Sequence, residues 1–563
     1  MKRYKLKRIY CFVTSVVLIT FLSSCETTNL ELQDNPNELT EESANPSYVL
    51  NSILGTFGQQ HFTFSAIASP MVRHTHLFGT YANSAGTNTM DGVWQQTYAI
   101  TSNLNFLKTL SESQGLPQHV GVGQIIEAYA YINLVDFIGT AVYSQAVNPD
   151  FPNPTLDDGA SIYDAMYAQL DEAIENLGKE NSLAFEDIYY NGDVSKWIKL
   201  ANSLKLRMYV QSKLVAPGAA SSIDAIVSSG NFISDPADDF IVLFGTNETN
   251  PDVRHPFFQQ QYADGTNAGN VFQNNDFMNL LLNTKSSPDP RTPLYFYRQD
   301  LNDPPAEDFD HCDANFVYCY LGNGYDGRDH GDDEGIENDG EQRVAFGIYP
   351  GGGALDTAGT QAEETAIATA NYDASSGLTL AEFITRHLST VNPSTINSSN
   401  LGGEGIGPFL TASFIHFLLA EAALPAPQGL GASGDSGALL QAAMELAFAK
   451  VEDVSGEDIA DGDVTAYIDE VMAEFNAADD EAKLSVIARE FYIASFGNSI
   501  EAYNLYRRTG YPDLEPHVLS SGGAFPRSFF LPASEIDTNP RINNQKTLTD
   551  QVFWDTNPAG FID

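Results

Sequence analysis

Val122-Gly-Gln124-Ile125-Ile126-Glu127-Ala-Tyr129-Ala-Tyr-Ile132-Asn-Leu-Val-Asp136-Phe-Ile138 decides the fold class. Val122, Ile125, Ile126, Tyr129 and Ile132 recur at the spacing of one helix face, with Gln124 and Glu127 opposite. The same period extends outward in both directions. Ser161 opens a helix striped by Ile162, Met166, Leu170, Ile174 and Leu177, with Ser161 and Asp164 as a variant of the capping box. A third helix sets Trp197, Ala201, Leu204 and Met208 on one face and Lys196, Lys199, Lys205 and Arg207 on the other. Residues 410–424, 438–451, 463–476 and 481–496 are helical by period as well. Between about 231 and 407 Gly, Asn, Asp, Pro and Thr dominate, and Phe240–Phe244, Leu294–Tyr297 and Phe316–Leu321 read as short strands. Residues 351–405 read as surface loop, and so long an insertion usually carries function. The fold class is therefore mainly α: helix pairs of tetratricopeptide-like length, though without a clean 34-residue repeat, interrupted by a loop-rich insertion with short strands.

The N-terminus sets the compartment. Lys2, Arg3, Lys5, Lys7 and Arg8 precede an apolar run from Ile9 to Leu22. As a helix that run reaches about 21 Å, short of the roughly 30 Å hydrocarbon core, so it is a signal peptide and not an anchor. Leu22-Ser-Ser-Cys25 resembles a bacterial lipobox, which implies cleavage before Cys25 and lipid on its sulfur. The expected organisation is a signal peptide over 1–24, a lipidated tether over 25–40 and one domain over 41–563. Its scaffold spans about 41–230 and 408–512, and the insertion about 231–407. Lys and Arg number 28 against 74 Asp and Glu, a net charge of −46. Without the five basic leader residues, 23 face 74, giving −51. That field repels phosphate backbones, so nucleic acid is excluded as a partner; high solubility is the plainer meaning of the charge. Of four cysteines, Cys312 and Cys319 remain once Cys11 and Cys25 are accounted for. Seven residues apart in an oxidising compartment, they are read as a disulfide pair.

Several segments, in a shared order over most of the chain, resemble the SusD/RagB family of nutrient-binding outer-membrane lipoproteins. They are Tyr131 to Ala146, with Asp136, Gly139, Tyr143 and Ser144; Gly192-Asp193 with Trp197 to Arg207; Asp289-Pro290-Arg291; Gly327 to Gly335 followed by Gly347 to Gly352; Glu490 to Ala494 with Glu501 to Pro512; and Ser528 to Ile536 with Asn539-Pro540. Val142 stands where the family often has proline. The resemblance implies a helical scaffold of four tetratricopeptide-like pairs presenting loops that bind a ligand. It also implies lipid anchoring at the cell surface of the outer membrane, and a SusC-like TonB-dependent transporter as partner. The cargo is oligosaccharide or, in the RagB-like case, peptide. Catalysis is not expected.

Gly322-Asn-Gly324-Tyr-Asp-Gly327 satisfies G-x-G-x-x-G, but an acidic turn-rich stretch follows where a dinucleotide site needs a helix N-terminus. No cofactor is required. Asp329, Asp332, Asp333 and Glu334 on a Gly-rich loop offer the oxygen ligands that suit a structural Ca²⁺, or are held in a network by Arg328 and Arg343. His74 and His76 form an i, i+2 pair without an acidic or cysteine partner nearby. With Tyr81, Asn83, Ser84 and Asn88 they read as a ligand-facing loop or an ordinary polar one, and Tyr325 joins the candidate ligand residues. Sugars are bound by aromatic faces together with amides and hydroxyls. Trp94 and Trp197 read as core, and Trp554 as core or stacking platform. Arg507 and Arg508 with Glu490 and Glu501 read as a structural ion network in preference to acid–base machinery. Two rival classes are a surface glycoside hydrolase, recognised by the spatial separation of two carboxylates, and an adhesin.

Overall fold

The scaffold is built from α1 (Pro46–Met71), α2 (Asp91–Gln114), α3 (Pro117–Ile138), α4 (Gly159–Leu177) and α5 (Val194–Gln211), then α6 (Ala412–Ala423), α7 (Ser436–Ser455), α8 (Asp461–Ala477), α9 (Asp480–Ala494) and α10 (Ser499–Thr509). Each packs on the next, α5 on α6 across the insertion, and α10 returns to α1. This computed structural model describes residues 45–262, 271–301, 321–333, 343–388, 401–514 and 522–562, and Pro46–Asp563 packs as one unit. Cys25, Cys312, Cys319 and Glu334 lie outside the described residues, as do 316–320 of the third expected strand. Among the described residues no helix is long and apolar enough to cross a membrane.

The deciding helix differs from its reading. From His119 to Ile138 every residue of α3 is buried, Gln124 and Glu127 included. Those two polar side chains do not face solvent because α4 supplies their partners. Gln169 Nε2 donates to the Gln124 carbonyl at 2.9 Å and to Glu127 Oε2 at 3.0 Å, and Asn176 Nδ2 donates to Gln124 Oε1 at 2.8 Å. Burial pushes the Glu127 carboxyl up, as expected for a charge taken out of water. Gly121 and Gly123 let the neighbours close in: a Cβ at Gly121 would lie 2.9 Å from the Ala173 carbonyl, and one at Gly123 2.7 Å from Leu104 Cδ1.

Two smaller readings also shift. α4 is capped by Asp158, whose carboxylate accepts from the Ser161 N–H at 3.0 Å and its hydroxyl at 2.6 Å, so Ser161 lies inside the first turn and Asp164 is not part of the cap. In α5, Lys199 and Lys205 pair with Asp238 and Asp171 towards solvent, but Arg207 is buried between Asp136 and Glu501.

The short strands β1 (Thr140–Ala141) and β2 (Asp157–Asp158) pair after α3. The insertion is clamped at its base: β3 (Phe240–Leu243) pairs antiparallel with β6 (Ile406–Leu410), so the chain leaves and re-enters the scaffold at one place. Within it β4 (Phe296–Tyr297) pairs with β5 (Ala345–Phe346); Leu294 and Tyr295, read as strand, belong to the helical turn Thr292–Tyr295. The stretch read as surface loop holds helices Gln361–Ala370 and Leu380–Leu388, and its start, Gly351–Ala354, is buried.

Candidate functional site

The loop after α1 divides its predicted ligand residues between core and surface. His74 is buried, with Nδ1 bonded to Ser499 Oγ at 2.9 Å and Nε2 to the Tyr492 carbonyl at 3.1 Å. Both nitrogens are occupied, and burial holds its pKa down at about 3, so it fastens the loop and cannot bind cargo or metal. His76 is also driven down to about 3, by burial and then by the Arg328 and Arg343 charges. Tyr81 is buried too, sharing a 2.9 Å hydrogen bond with His330 Nε2 and packing 5.5 Å from Phe525. Asn83 and Asn88 do stay exposed, as does Phe78 at 43%.

The carboxylates of the Gly-rich loop are also separated. Asp329 is buried and accepts from Asn275 Nδ2 at 2.8 Å; burial first, then the Asp276 and Asp332 charges, pushes it up to about 6 against that hydrogen bond. Asp332 pairs with Arg328 at 3.2 Å, Asp326 with Arg343 at 3.6 Å, and Asp333 is exposed. Among the described residues no three acid, histidine or cysteine groups gather as a metal site. Arg328 lies 4.6 Å over the Phe272 ring, which makes this layer a packed support.

Tyr325 alone of the predicted ligand residues lines a cleft of about 620 Å³, where the insertion meets the α7–α8 connection. That volume is in the range of small-ligand sites. One wall is Asn323, Tyr325, Asp356 and the backbone to Thr360; the other is Glu457 to Asp463; Asp289 to Leu294 form the floor. Tyr325 is half-buried, and the Arg298 guanidinium lies 4.7 Å from its ring centre. All five Arg298 side-chain N–H groups are engaged within the protein. Nε donates to Asp356 Oδ2 at 2.6 Å, Nη1 to the carbonyls of Asn323 and Gly359 at 3.0 and 3.2 Å, and Nη2 to Asp356 Oδ1 and the Ala358 carbonyl at 3.3 and 2.7 Å. Arg298 therefore fixes the wall and the tilt of Tyr325, with no donor left for a ligand. The floor is held in the same way: Arg291 binds Asp289 through Nε and Nη2 at 2.9 and 2.6 Å and lies over the rings of Phe448 and Tyr467. Among the described residues, what remains for a ligand is the Tyr325 ring, the Asn323 Nδ2 group, and the exposed carboxylates of Glu363, Glu457, Asp458 and Asp463. A second cleft, about 720 Å³, lies against α4 and α5, lined by Tyr163, Tyr167, Tyr209, Phe553 and small residues. Its Tyr167 and Tyr209 rings stack on each other at 4.7 Å.

The chain matches, over residues 36–316 and 363–532, the SusD-like family model described as starch-binding and associating with the outer membrane. It belongs to the SusD-like family. No curated protein matches it. Among solved structures, a SusD homolog from Bacteroides uniformis is 21% identical, with a TM-score of 0.62 over 91% of this chain and 100% of that one. A chitin-binding SusD homolog from Flavobacterium johnsoniae is 18% identical, TM-score 0.61, over 91% and 99%. A SusD/RagB family protein from Bacteroides thetaiotaomicron is 17% identical, TM-score 0.64, over 92% and 100%. At these identities the likeness shows the fold.

In this SusD-like chain the family-resembling segments are largely buried polar joints between elements. Asp136 accepts from Tyr163 Oη at 2.5 Å, Trp554 Nε1 at 2.9 Å, Asn504 Nδ2 at 2.9 Å and Arg207 Nη1 at 3.3 Å. It thereby ties α3, α4, α5, α10 and the C-terminal segment together, and Trp554 is core. Arg508 binds both oxygens of Glu421 at 2.8 Å. Glu490 meets Lys285, Arg489 and Tyr467, and Arg291 at 3.9 Å. The Asp289-Pro290-Arg291 segment thus fastens the insertion to α7, α8 and α9. Arg507, Arg508, Glu490 and Glu501 are all buried in structural contacts, but they do not form one network among themselves: Arg508 holds Glu421, Glu490 meets Lys285 and Arg489, Glu501 meets Arg207, and Arg507 is held by Asn504 and the Asp136 and Arg527 carbonyls.

Proposed function

We propose that the protein is a non-catalytic lipoprotein, anchored through Cys25 at the outer surface, which holds oligosaccharide in the Tyr325 cleft for a SusC-like TonB-dependent transporter. The observation that carries the reading is the cleft itself. It sets one aromatic face among amide and carboxylate groups, on walls whose other polar groups are satisfied internally. A pyranose fits that chemistry, because its C–H face covers an aromatic ring while its hydroxyls reach acceptors and donors at the rim. The scaffold cleft is the more apolar and offers fewer converging polar groups, so the loop cleft is preferred. The two most buried carboxylates of the site, Asp289 and Asp356, are each locked to an arginine. Neither is free to serve as general acid or base, which speaks against the hydrolase reading.

Calorimetric titration with neutral oligosaccharides tests the capture step. Tyr325→Ala is expected to weaken binding about tenfold, the scale of one aromatic contact of roughly 1.4 kcal/mol, whereas Tyr325→Phe, which keeps the ring, stays within about threefold of wild type. Equal affinities for wild type and Tyr325→Ala would remove the cleft as the cargo site.

A further inference from the structure

The Tyr325 cleft holds charge in an unbalanced way. Among the described residues Arg298 is the cation that lines it, and all five of its N–H donors end on protein oxygens. Asp356 and Asp289 are neutralised by Arg298 and Arg291. Glu363, Glu457, Asp458 and Asp463 are exposed on the lining, and among the described residues none of them has an ion-pair partner. Glu363 caps the helix after Thr360, and hydrogen bonds from the Thr360 N–H and hydroxyl hold its carboxyl below the usual range, so it carries its charge. A ligand entering here meets negative charge on both walls and, among the described residues, no free guanidinium or ammonium.

We infer that the site selects its oligosaccharide by charge, favouring amino-bearing sugars over neutral ones and rejecting uronate or sulfated chains. This rests on the cleft being the cargo site. A carboxylate or sulfate on a bound sugar has to be desolvated beside like charge with no cation to receive it, whereas an ammonium finds several carboxylates within the cleft. Neutral hydroxyls are bound without electrostatic preference. The overall −46 charge acts at long range on encounter, but salt screens it beyond about 10 Å; discrimination in the bound state comes from the lining.

The test is titration of the purified protein with tetramers of glucosamine, glucose and galacturonate, at about 20 mM and about 500 mM salt. The triple variant Glu457→Gln, Asp458→Asn, Asp463→Asn is measured beside wild type; all three positions are exposed, so the fold is retained. Wild type is expected to bind glucosamine about tenfold more tightly than galacturonate at low salt, a gap that narrows at high salt and in the triple variant. Galacturonate binding as tightly as glucosamine would overturn the inference. So would a preference that the triple variant leaves intact, since that preference would belong to the whole molecule's field. Failure of all three tetramers to bind would overturn the oligosaccharide reading itself, an outcome distinct from lost selectivity.

Discussion

Asp136→Ala is expected to lower the unfolding free energy by about 3–5 kcal/mol, the cost of breaking a buried charge network from one side. The carboxylate is fully buried and its two oxygens receive Tyr163, Trp554, Asn504 and Arg207. Removing it strands three neutral donors without water and leaves Arg207 to Glu501 alone. Each orphaned donor costs on the order of 1–3 kcal/mol before relaxation. Because the joint connects α3, α4, α5, α10 and the C-terminal segment, the loss should appear as one cooperative shift of the urea midpoint, with near-ultraviolet dichroism from Trp554 changing in the folded state. A shift worth less than about 1 kcal/mol would mean that apolar packing, not this joint, fixes the helices to one another.

The second large effect is on acid stability. Burial opposes the charge on Glu490, but Lys285, Arg489 and Arg291 more than offset it and hold its pKa at about 2; Glu421 is held at about 2 in the same way by Arg508 and Lys213. A carboxyl depressed in the folded state stabilises the fold fully above its ordinary value of 4.5 and loses that contribution as pH falls towards 2. Each group therefore contributes on the order of 3 kcal/mol that disappears across this window. Wild-type stability, followed by denaturant unfolding at successive pH values, should drop steeply between pH 4.5 and 2. Glu490→Gln should be less stable at pH 7 and show a shallower acid limb, having one fewer carboxyl to titrate. Parallel limbs for wild type and variant would show that Glu490 is not held in its charged form by this network.

The helical scaffold was legible because its period is strong, and the helices after the insertion lie where the apolar repeats put them. Where the reading slipped, a polar side chain was satisfied inside the protein. Gln124 and Glu127 look solvent-facing by period, yet α4 supplies their partners; Arg207 looks like part of a basic face, yet two carboxylates receive it. Such pairings are set by tertiary contact and leave no local trace. The two helices inside the supposed surface loop did leave one. Thr360 with Glu363 and Thr379 with Glu382 are both Thr-x-x-Glu, and both form the reciprocal hydrogen bonds of a capping box. Of the residues that line the proposed site, the sequence offers Tyr325 as a candidate but not its surroundings. His74 and Tyr81 were drawn in by residue type, although a histidine or tyrosine on a loop is as readily a buried fastener as a ligand contact. The carboxylates of Glu457 and Asp458, in the α7–α8 connection, and of Asp463, in the first turn of α8, lie more than a hundred residues from Tyr325 in sequence, so only the fold brings them to the cleft.

The most direct test of the import role is recovery of partners from detergent-solubilised outer membranes with the tagged full-length protein, followed by mass spectrometry. The proposed function predicts a large TonB-dependent barrel among the captured proteins, lost when Cys25→Ala keeps the chain from its anchor. Intact surface protein that captures no such barrel would contradict it.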